Sequence, residues 1–252
     1  MIALITGASS GIGREIARTL SARGWETVLV ARREDRLIEL SEGLNEKSHV
    51  EACDITLREA CENLFRKYPD IDMLVNCAGC GAYGGFADSD LEREIKMLEL
   101  NIAALHILTK LYFKSFIERN SGIILNVASS AGFFSGPYFS SYYASKAYVL
   151  HLTEAISYEA RKTGVRVSVF CPGPVTTDFG KADGISDGKG ALTPEFAAKR
   201  AVDGALSGKR IIFPDFKTRV LVLFSRFIPR GLLLKIVAKE QLKKTSKYCQ
   251  NR

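Results

Sequence analysis

Tyr142 and Lys146 are the side chains in this sequence best suited to proton transfer. They lie four residues apart in a helical pattern, which places both on one face, a turn apart. A phenol is a poor acid–base group at neutral pH because its ordinary pKa is about 10. A neighbouring ammonium favours the phenolate, so we expect Lys146 to bring the pKa of Tyr142 toward the working range. Tyr143 lies only three residues from Lys146 and is the less suitable acid.

A glycine-rich turn near the N-terminus has the composition of an anion-binding site. Residues 6–13 read Thr-Gly-Ala-Ser-Ser-Gly-Ile-Gly, directly after an apolar run and directly before a helical pattern. Glycines let the backbone turn tightly and approach a pyrophosphate, and the helix N-terminus directs N–H groups at that anion. The strand–turn–helix context therefore predicts a dinucleotide site rather than a plain turn. The candidate contacts are Gly7, Ser9, Ser10, Gly11, Ile12 and Gly13.

Three further motifs follow this turn in order, and together they resemble those of the short-chain dehydrogenase/reductase family. Residues 53–56 read Cys-Asp-Ile-Thr, residues 76–79 read Asn-Cys-Ala-Gly, and residues 172–177 read Pro-Gly-Pro-Val-Thr-Thr. Cys77 replaces the second Asn of the family's Asn-Asn-Ala-Gly segment. The resemblance covers residues 1 to about 208 and implies cofactor contacts from Asp54, Asn76, Ala78, Gly79, Pro172, Gly173, Val175 and Thr177, as well as from Tyr142 and Lys146.

The same resemblance implies roles in catalysis. Tyr142 would be the general acid or base, and Lys146 would also hold the nicotinamide ribose. Ser129, thirteen residues before Tyr142, would orient the substrate oxygen, with Ser130 as the alternative. Asn101 matches the helix-interrupting Asn thought to hold a water that relays protons toward Lys146. The implied reaction is hydride transfer between nicotinamide and a carbonyl or alcohol.

The residues after the second predicted strand favour NADP over NAD. NAD enzymes use an acidic side chain there to bind the ribose 2′-hydroxyl, and Ala31 stands at that place. Arg32 follows and offers a charge-assisted fork suited to a 2′-phosphate, with Arg33 and the Ser10 hydroxyl as helpers. Both arginines could instead be solvated loop charges.

Alternation of short apolar runs with helical patterns predicts the fold. Runs that look apolar on both faces, separated by helices, indicate a doubly wound, Rossmann-like α/β fold: a parallel sheet with helices on both faces in a single domain. The predicted strands are 2–6, 27–30, 49–52, 73–75, 123–127, 165–171 and, as a short seventh, 211–213. The predicted helices are 12–22, 35–43, 57–67, 91–117 and 142–162. The longest irregular stretches are 79–85 and 178–190.

Positive charge is concentrated at the C-terminal end. The chain of 252 residues has a formal net charge of +7, but residues 209–252 alone sum to +10. We therefore divide the chain into a catalytic region, 1–208, and a basic, apolar extension, 209–252. Pro229 should split the extension into two short helices. It could cover the substrate cleft, contact another subunit, or dock on a membrane surface or an acidic carrier.

Other features narrow the function class. The six cysteines are scattered, and the Cys77-x-x-Cys80 pair has no second ligand pair at zinc spacing, so we expect free thiols and no metal. No run reaches the length of a membrane-spanning helix. We expect a cytoplasmic homo-oligomer, dimer or tetramer, that acts on a small molecule and has no nucleic-acid partner. Peripheral association with a membrane is the alternative localisation. Aromatic residues near the site favour a bulky, apolar substrate.

Two other functions are compatible with the same fold. A cofactor-binding regulatory protein would not need Ser129, Tyr142 and Lys146 together. An epimerase or dehydratase of the extended relatives usually carries a longer C-terminal substrate domain than this chain has. The site residues, rather than the fold, therefore favour the oxidoreductase.

Overall fold

The computed structural model describes residues 1–179 and 190–249, with side chains as far as residue 243. Within them, seven strands form one parallel sheet in the order β3-β2-β1-β4-β5-β6-β7. The strands are β1 (Ile2–Thr6), β2 (Glu26–Ala31), β3 (Ser48–Ala52), β4 (Met73–Asn76), β5 (Gly122–Val127), β6 (Val165–Phe170) and β7 (Ile211–Ile212). The predicted Rossmann-like, single-domain α/β fold is confirmed. The sheet continues past residue 208, because β7 pairs with β6.

Helices cover both faces of this sheet. They are α1 (Gly11–Ser21), α2 (Glu34–Glu42), α3 (Arg58–Lys67), α4 (Leu91–Leu98), α5 (Leu105–Glu118), α6 (Ser140–Glu159), α7 (Pro194–Leu206), α8 (Phe216–Ser225) and α9 (Arg230–Cys249). The predicted helix 91–117 is divided by a π-helical stretch, Glu99–Ala104. The sequence patterns did not predict α7, which Thr193 caps and Pro194 begins. Most of the predicted irregular stretch 178–190 lies outside the described residues.

Successive side chains of each strand point to opposite faces of the sheet, and both faces are buried. Ile5, Leu29 and Val75 contact the apolar faces of α1, α2 and α7. Leu4, Val28 and Leu74 contact those of α3 and α5, where Tyr112 and Phe116 are fully buried. The doubly apolar strands seen in the sequence are therefore strands with a helix layer on each side.

Two helices follow each other in the extension and are separated at Pro229, as predicted, but the second helix is long. Pro229 lies between α8 and α9, and α9 then runs for 20 residues instead of one short helix. Leu233 and Val237 of α9 pack against Tyr143. The Gln241 amide donates a hydrogen bond of 2.7 Å to the Tyr143 hydroxyl. The extension thus packs on the catalytic region; no helix in the described ranges has the length and apolarity to cross a membrane.

A buried polar network ties β4 and β5 to the helices behind them. The side-chain NH2 group of Asn76 donates to the side-chain oxygen of Asn126 at 2.9 Å and to the Thr109 hydroxyl at 3.0 Å. The side-chain NH2 group of Asn126 donates to the Thr153 hydroxyl at 3.0 Å. All four side chains are buried, so each depends on the others for its hydrogen bonds.

We predict that Asn126→Ala lowers the free energy of unfolding by about 2–4 kcal/mol, because it leaves buried partners unsatisfied. Denaturant unfolding followed by circular dichroism measures this. The control is Asn63→Ala, at an exposed position on α3, which should stay within about 0.5 kcal/mol of wild type. Equal effects in the two variants would contradict a stabilising role for the network.

Candidate active site

The turn after β1 approaches the end of β4 too closely to admit side chains. Gly7 has a φ of 73°, and a Cβ there would lie 2.8 Å from the Ala78 Cα. A Cβ on Gly13 would overlap the Gly7 carbonyl oxygen. The Thr6 hydroxyl accepts hydrogen bonds from the Cys77 and Ala78 amides, both at 3.1 Å. These contacts join β1 and β4 at the point where the strand order reverses, which is where doubly wound folds bind ligands.

The N-terminus of α1 opens onto a cleft with cationic side chains. Gly11 and Ile12 begin the helix, so its first amides point to this end. The cleft has a volume of about 220 Å³. Its lining residues are Ser9, Ser10, Gly11, Arg14, Arg36, Thr176, Thr177, Asp178 and Pro194.

The arginine that reaches the glycine turn is Arg33, not the first-choice Arg32. Its guanidinium donates hydrogen bonds to the Ser9 hydroxyl at 2.9 Å and the Ser10 hydroxyl at 3.0 Å. Arg32 is exposed beside it. Neighbouring residues of an extended segment point to opposite sides, so only one of the two can lie over the turn. Ala31 ends β2, as expected, without an acidic side chain there.

Lys146 lies at the bottom of the site, with only 5% of its surface exposed. Its ammonium donates a hydrogen bond of 3.0 Å to the Val127 carbonyl at the end of β5. Gly79 faces it, because a Cβ there would lie 3.5 Å from Nζ. Burial is the largest influence on Lys146 and lowers the pKa of its ammonium to about 8.

Asn101 lies beside the same glycine, in the π-helical stretch. Its side-chain oxygen accepts a hydrogen bond from the Cys80 amide at 3.0 Å, and its NH2 group donates to the Cys80 carbonyl at 2.9 Å and to the Ser145 hydroxyl at 3.2 Å. The structure therefore brings Asn101 close to Lys146 and also uses its amide to hold the loop after β4.

Ser129 and Tyr142 lie near each other past the end of β5. Ser129 follows β5, and its side chain acts to lower the pKa of the Tyr142 phenol. The Ser129 hydroxyl accepts from the Ala131 amide at 3.1 Å, which fixes the serine at the start of a short 3-10 turn. Ser130, the alternative, uses its backbone amide to bind the Pro172 carbonyl at 2.8 Å. Of the two serines, Ser129 is the one that contacts Tyr142.

The expected lowering of the Tyr142 pKa is wrong for the protein by itself. Burial raises the pKa of the phenol, and the hydrogen bond from Ser129 opposes this only in part. The Lys146 ammonium lies 5.8 Å from the centre of the Tyr142 ring and is itself desolvated. Desolvation thus outweighs the attraction between the two groups that their spacing suggested.

The remaining predicted residues fall into two groups. Asp54 and the segment 172–177 lie at the carboxyl edge of the sheet: Asp54 accepts from the Thr56 amide and hydroxyl, and a Cβ on Gly11 would lie 3.0 Å from the Thr177 methyl. Val175 forms a parallel bridge with Leu192. The Asn76 side chain instead points into the buried network below the site. The side chain of Asn76 is thus occupied, and only its backbone could make the predicted cofactor contact.

Aromatic side chains pack against Tyr142 and form a wall beside it. Phe139 stacks on Tyr142 at 4.3 Å between ring centres and on Tyr83 at 3.5 Å. Phe179 packs against Tyr142 at 5.4 Å. Leu233 and Val237 of α9 join the same cluster. The sequence analysis left open that the extension covers the substrate cleft. The available signal was the apolar pair Leu233 and Val237, one helical turn apart.

Cys77 and Cys80 of the Cys-x-x-Cys pair form no disulfide. Burial raises the pKa of the Cys77 thiol to about 12, opposite to the depressed pKa of reactive cysteines. No cluster of metal-ligating side chains occurs in the part of the chain that the structure describes. A structural turn accounts for these cysteines better than redox chemistry.

Comparison with known proteins identifies the family of the chain. A family model for short chain dehydrogenases matches residues 1–186. The chain therefore belongs to the short-chain dehydrogenase family and is an oxidoreductase of that family.

Three relatives show the extent of the similarity. An uncharacterised oxidoreductase from Staphylococcus epidermidis is 36% identical over 191 residues, covering 71% of this chain and 83% of its own. A 3-oxoacyl-[acyl-carrier-protein] reductase from Rickettsia prowazekii is 34% identical over 179 residues, covering 70% and 73%. A short-chain dehydrogenase from Sphingobium yanoikuyae, solved in complex with NADPH, superposes with a TM-score of 0.82 at 27% identity, covering 92% of this chain and 94% of that one.

Burial of Lys146 should make stability depend on pH. The folded-state pKa of about 8 lies below the unfolded value of about 10.5, so the unfolded chain binds more protons between these pH values and stability rises with pH. Relative to Lys146→Met, the wild-type free energy of unfolding should rise by about 2 kcal/mol from pH 7.5 to 9.5.

Denaturant unfolding at the two pH values measures this difference. Lys114→Met, at an exposed lysine on α5, is the control and should track wild type at both. A wild-type curve parallel to that of Lys146→Met would mean that the ammonium is not desolvated on folding.

Proposed function

We propose that the chain is an NADP(H)-dependent oxidoreductase that transfers hydride between nicotinamide and a carbonyl or alcohol, with Tyr142 as general acid or base. The observation that carries this proposal is a grouping of three side chains at the sheet edge that holds the glycine turn. Ser129 acts on the pKa of the Tyr142 phenol, and the buried ammonium of Lys146 lies 5.8 Å from the centre of the Tyr142 ring. A regulatory protein that only bound a cofactor would have no use for this arrangement.

The residues present fit a nicotinamide dinucleotide. Gly7 and Gly13 leave no side chain over the turn, and α1 directs its first amides at the place of a pyrophosphate. Gly79 opens the space in front of Lys146, where the ribose of the nicotinamide half would reach the ammonium. The bound cofactor supplies or accepts the hydride.

The protein's own part is to hold the substrate oxygen and move a proton. Ser129 would hydrogen bond to that oxygen and fix it against Tyr142. Burial keeps the phenol protonated at neutral pH, which suits reduction, since the oxygen of a carbonyl must gain a proton there. Lys146 would hold the ribose and, through its charge, stabilise the phenolate that remains. Asn101 would hold the loop that brings Gly79 to Lys146.

Cationic groups around the turn support NADP over NAD. Arg33 crosses both serine hydroxyls of the turn, and no acid stands at Ala31 to repel a 2′-phosphate. The Sphingobium relative, solved with NADPH, supports the same choice.

A bulky, apolar substrate is supported by the wall beside Tyr142. Tyr83, Phe139 and Phe179 line it, and α9 packs behind. Such a wall favours an acyl chain or a ring system over a small polar carbonyl. The Rickettsia relative, a 3-oxoacyl-[acyl-carrier-protein] reductase by name, supports a carbonyl borne on a lipid-like chain.

We predict that Tyr142→Phe lowers kcat by at least about a thousandfold while the Kd for NADPH changes less than about threefold, because the phenol supplies the proton and few cofactor contacts. Steady-state assays of carbonyl reduction and a fluorescence titration of NADPH measure the two. The matched control is Tyr143→Phe, which removes a hydroxyl that binds Gln241 and should keep most activity. Loss of turnover in Tyr143→Phe alone would transfer the role to Tyr143.

We predict that Arg33→Ala lowers kcat/KM for NADPH by about 10–100-fold, the value of one charge-assisted bond to phosphate, and leaves that for NADH within about threefold. Arg32→Ala is the neighbouring control and should lose less. The loss should shrink as salt is raised, because an exposed contact is screened. A larger loss in Arg32→Ala would return the contact with the 2′-phosphate to Arg32, as the sequence analysis expected. A wild type that favours NADH would refute NADP dependence.

A further inference from the structure

Helix α8 turns its apolar face away from the protein. Its buried residues are Val222 and Ser225. The opposite face carries an apolar stripe at helical spacing, Phe216, Val220, Leu223, Phe224 and, just past the helix end, Phe227. Three phenylalanines of this stripe are 77%, 62% and 79% exposed at positions 216, 224 and 227. A helix of a globular protein ordinarily buries such a stripe, so this face is built for contact with something else.

Positive charge flanks the stripe. Lys217 lies along one side of it, and Arg219 and Arg226 lie along the other. Over residues 216–243 the sequence has seven basic residues and one acidic residue, Glu240. On α9, Lys235 and Lys239 each stand two residues from the buried Val237 and so project from the opposite, exposed side. The partner must therefore combine an apolar interior with a negative rim.

We propose that α8, with the exposed side of α9, docks on an anionic lipid bilayer. Acyl chains would receive the phenylalanine stripe, and the flanking Lys and Arg side chains would extend to the phosphate and carboxylate headgroups. A second copy of the chain fits less well, since a twofold interface places the same basic surface against itself. An acidic protein would pair with the charges but needs no continuous stripe of three exposed phenylalanines.

The two helices of the docking surface also contact the catalytic region, through their other faces. Val237 of α9 packs on the cluster that contains Phe139 and Tyr143. A Cβ on Gly173 would lie 3.1 Å from the Thr218 hydroxyl of α8, so α8 touches the segment after β6. The inference rests on exposure and charge, however, and stands whether or not the proposed reaction is right.

Co-sedimentation of the full-length protein with vesicles tests the proposal. Vesicles of phosphatidylcholine containing about a third phosphatidylserine should bind at least about tenfold more protein than phosphatidylcholine alone, and about 0.5 M NaCl should remove most of this difference. The double variant Phe224→Ser with Phe227→Ser should bind the anionic vesicles at least about tenfold less than wild type. The double variant Lys217→Glu with Arg226→Glu should do the same.

Matched variants elsewhere on the surface control for lost apolar area and charge. Tyr158→Ser, at a side chain 59% exposed on α6, should bind like wild type, and so should Lys110→Glu with Lys114→Glu on α5. Circular dichroism and thermal unfolding establish that each variant is folded, and no step depends on turnover. Absent binding at low salt, or equal loss in the controls, would overturn the proposal. If the Phe224→Ser, Phe227→Ser variant bound anionic vesicles like wild type, the protein would adsorb by charge alone and insertion of the stripe would be wrong. Binding to an acidic protein but not to vesicles would overturn the proposal as well.

Discussion

The close approach of the turn after β1 to the end of β4 is the constraint on which the site depends. Gly7 and Ala78 are in backbone contact there, and the Thr6 hydroxyl satisfies two amides that the sheet leaves free. Any side chain at Gly7 would push the two strands apart. Because the strand order reverses at this point, the carboxyl ends of β1 and β4 form one rim, where doubly wound folds bind ligands.

Burial of charge is the second physical theme. A lysine with 5% exposure and a hydrogen bond to one carbonyl is an expensive group to fold, and the lowered pKa of Lys146 expresses that cost. The same burial raises the pKa of Tyr142. Burial therefore shifts both groups toward their uncharged forms, but a pKa of about 8 still leaves Lys146 mostly protonated at neutral pH. A group that offers hydrogen bonds or negative charge in front of Lys146 would be bound with a favourable electrostatic contribution.

The C-terminal extension has two faces with opposite uses. One face of α9 completes the aromatic cluster, through Val237 and the bond from Gln241 to Tyr143. The outward face of α8 leaves large apolar side chains exposed between basic ones. The extension can thus pack behind the aromatic wall through α9 and present a separate surface through α8, because each helix has one face toward the protein and one away from it.

The sequence by itself determined the sheet, the glycine turn and the pairing of Tyr142 with Lys146, because these depend on local periodicity and spacing. The family resemblance added Ser129, which the structure places against Tyr142. Only the tertiary structure decided which arginine crosses the turn, that Asn76 points into the interior, and that burial dominates the pKa of Tyr142. The helix α7, despite its Thr-Pro start, and the length of α9 also became apparent only there. The helices α7 and α9 are local elements whose signals the sequence analysis missed. The arginine, Asn76 and the pKa of Tyr142 instead depend on distances between segments far apart in the chain, which spacing along the sequence does not contain.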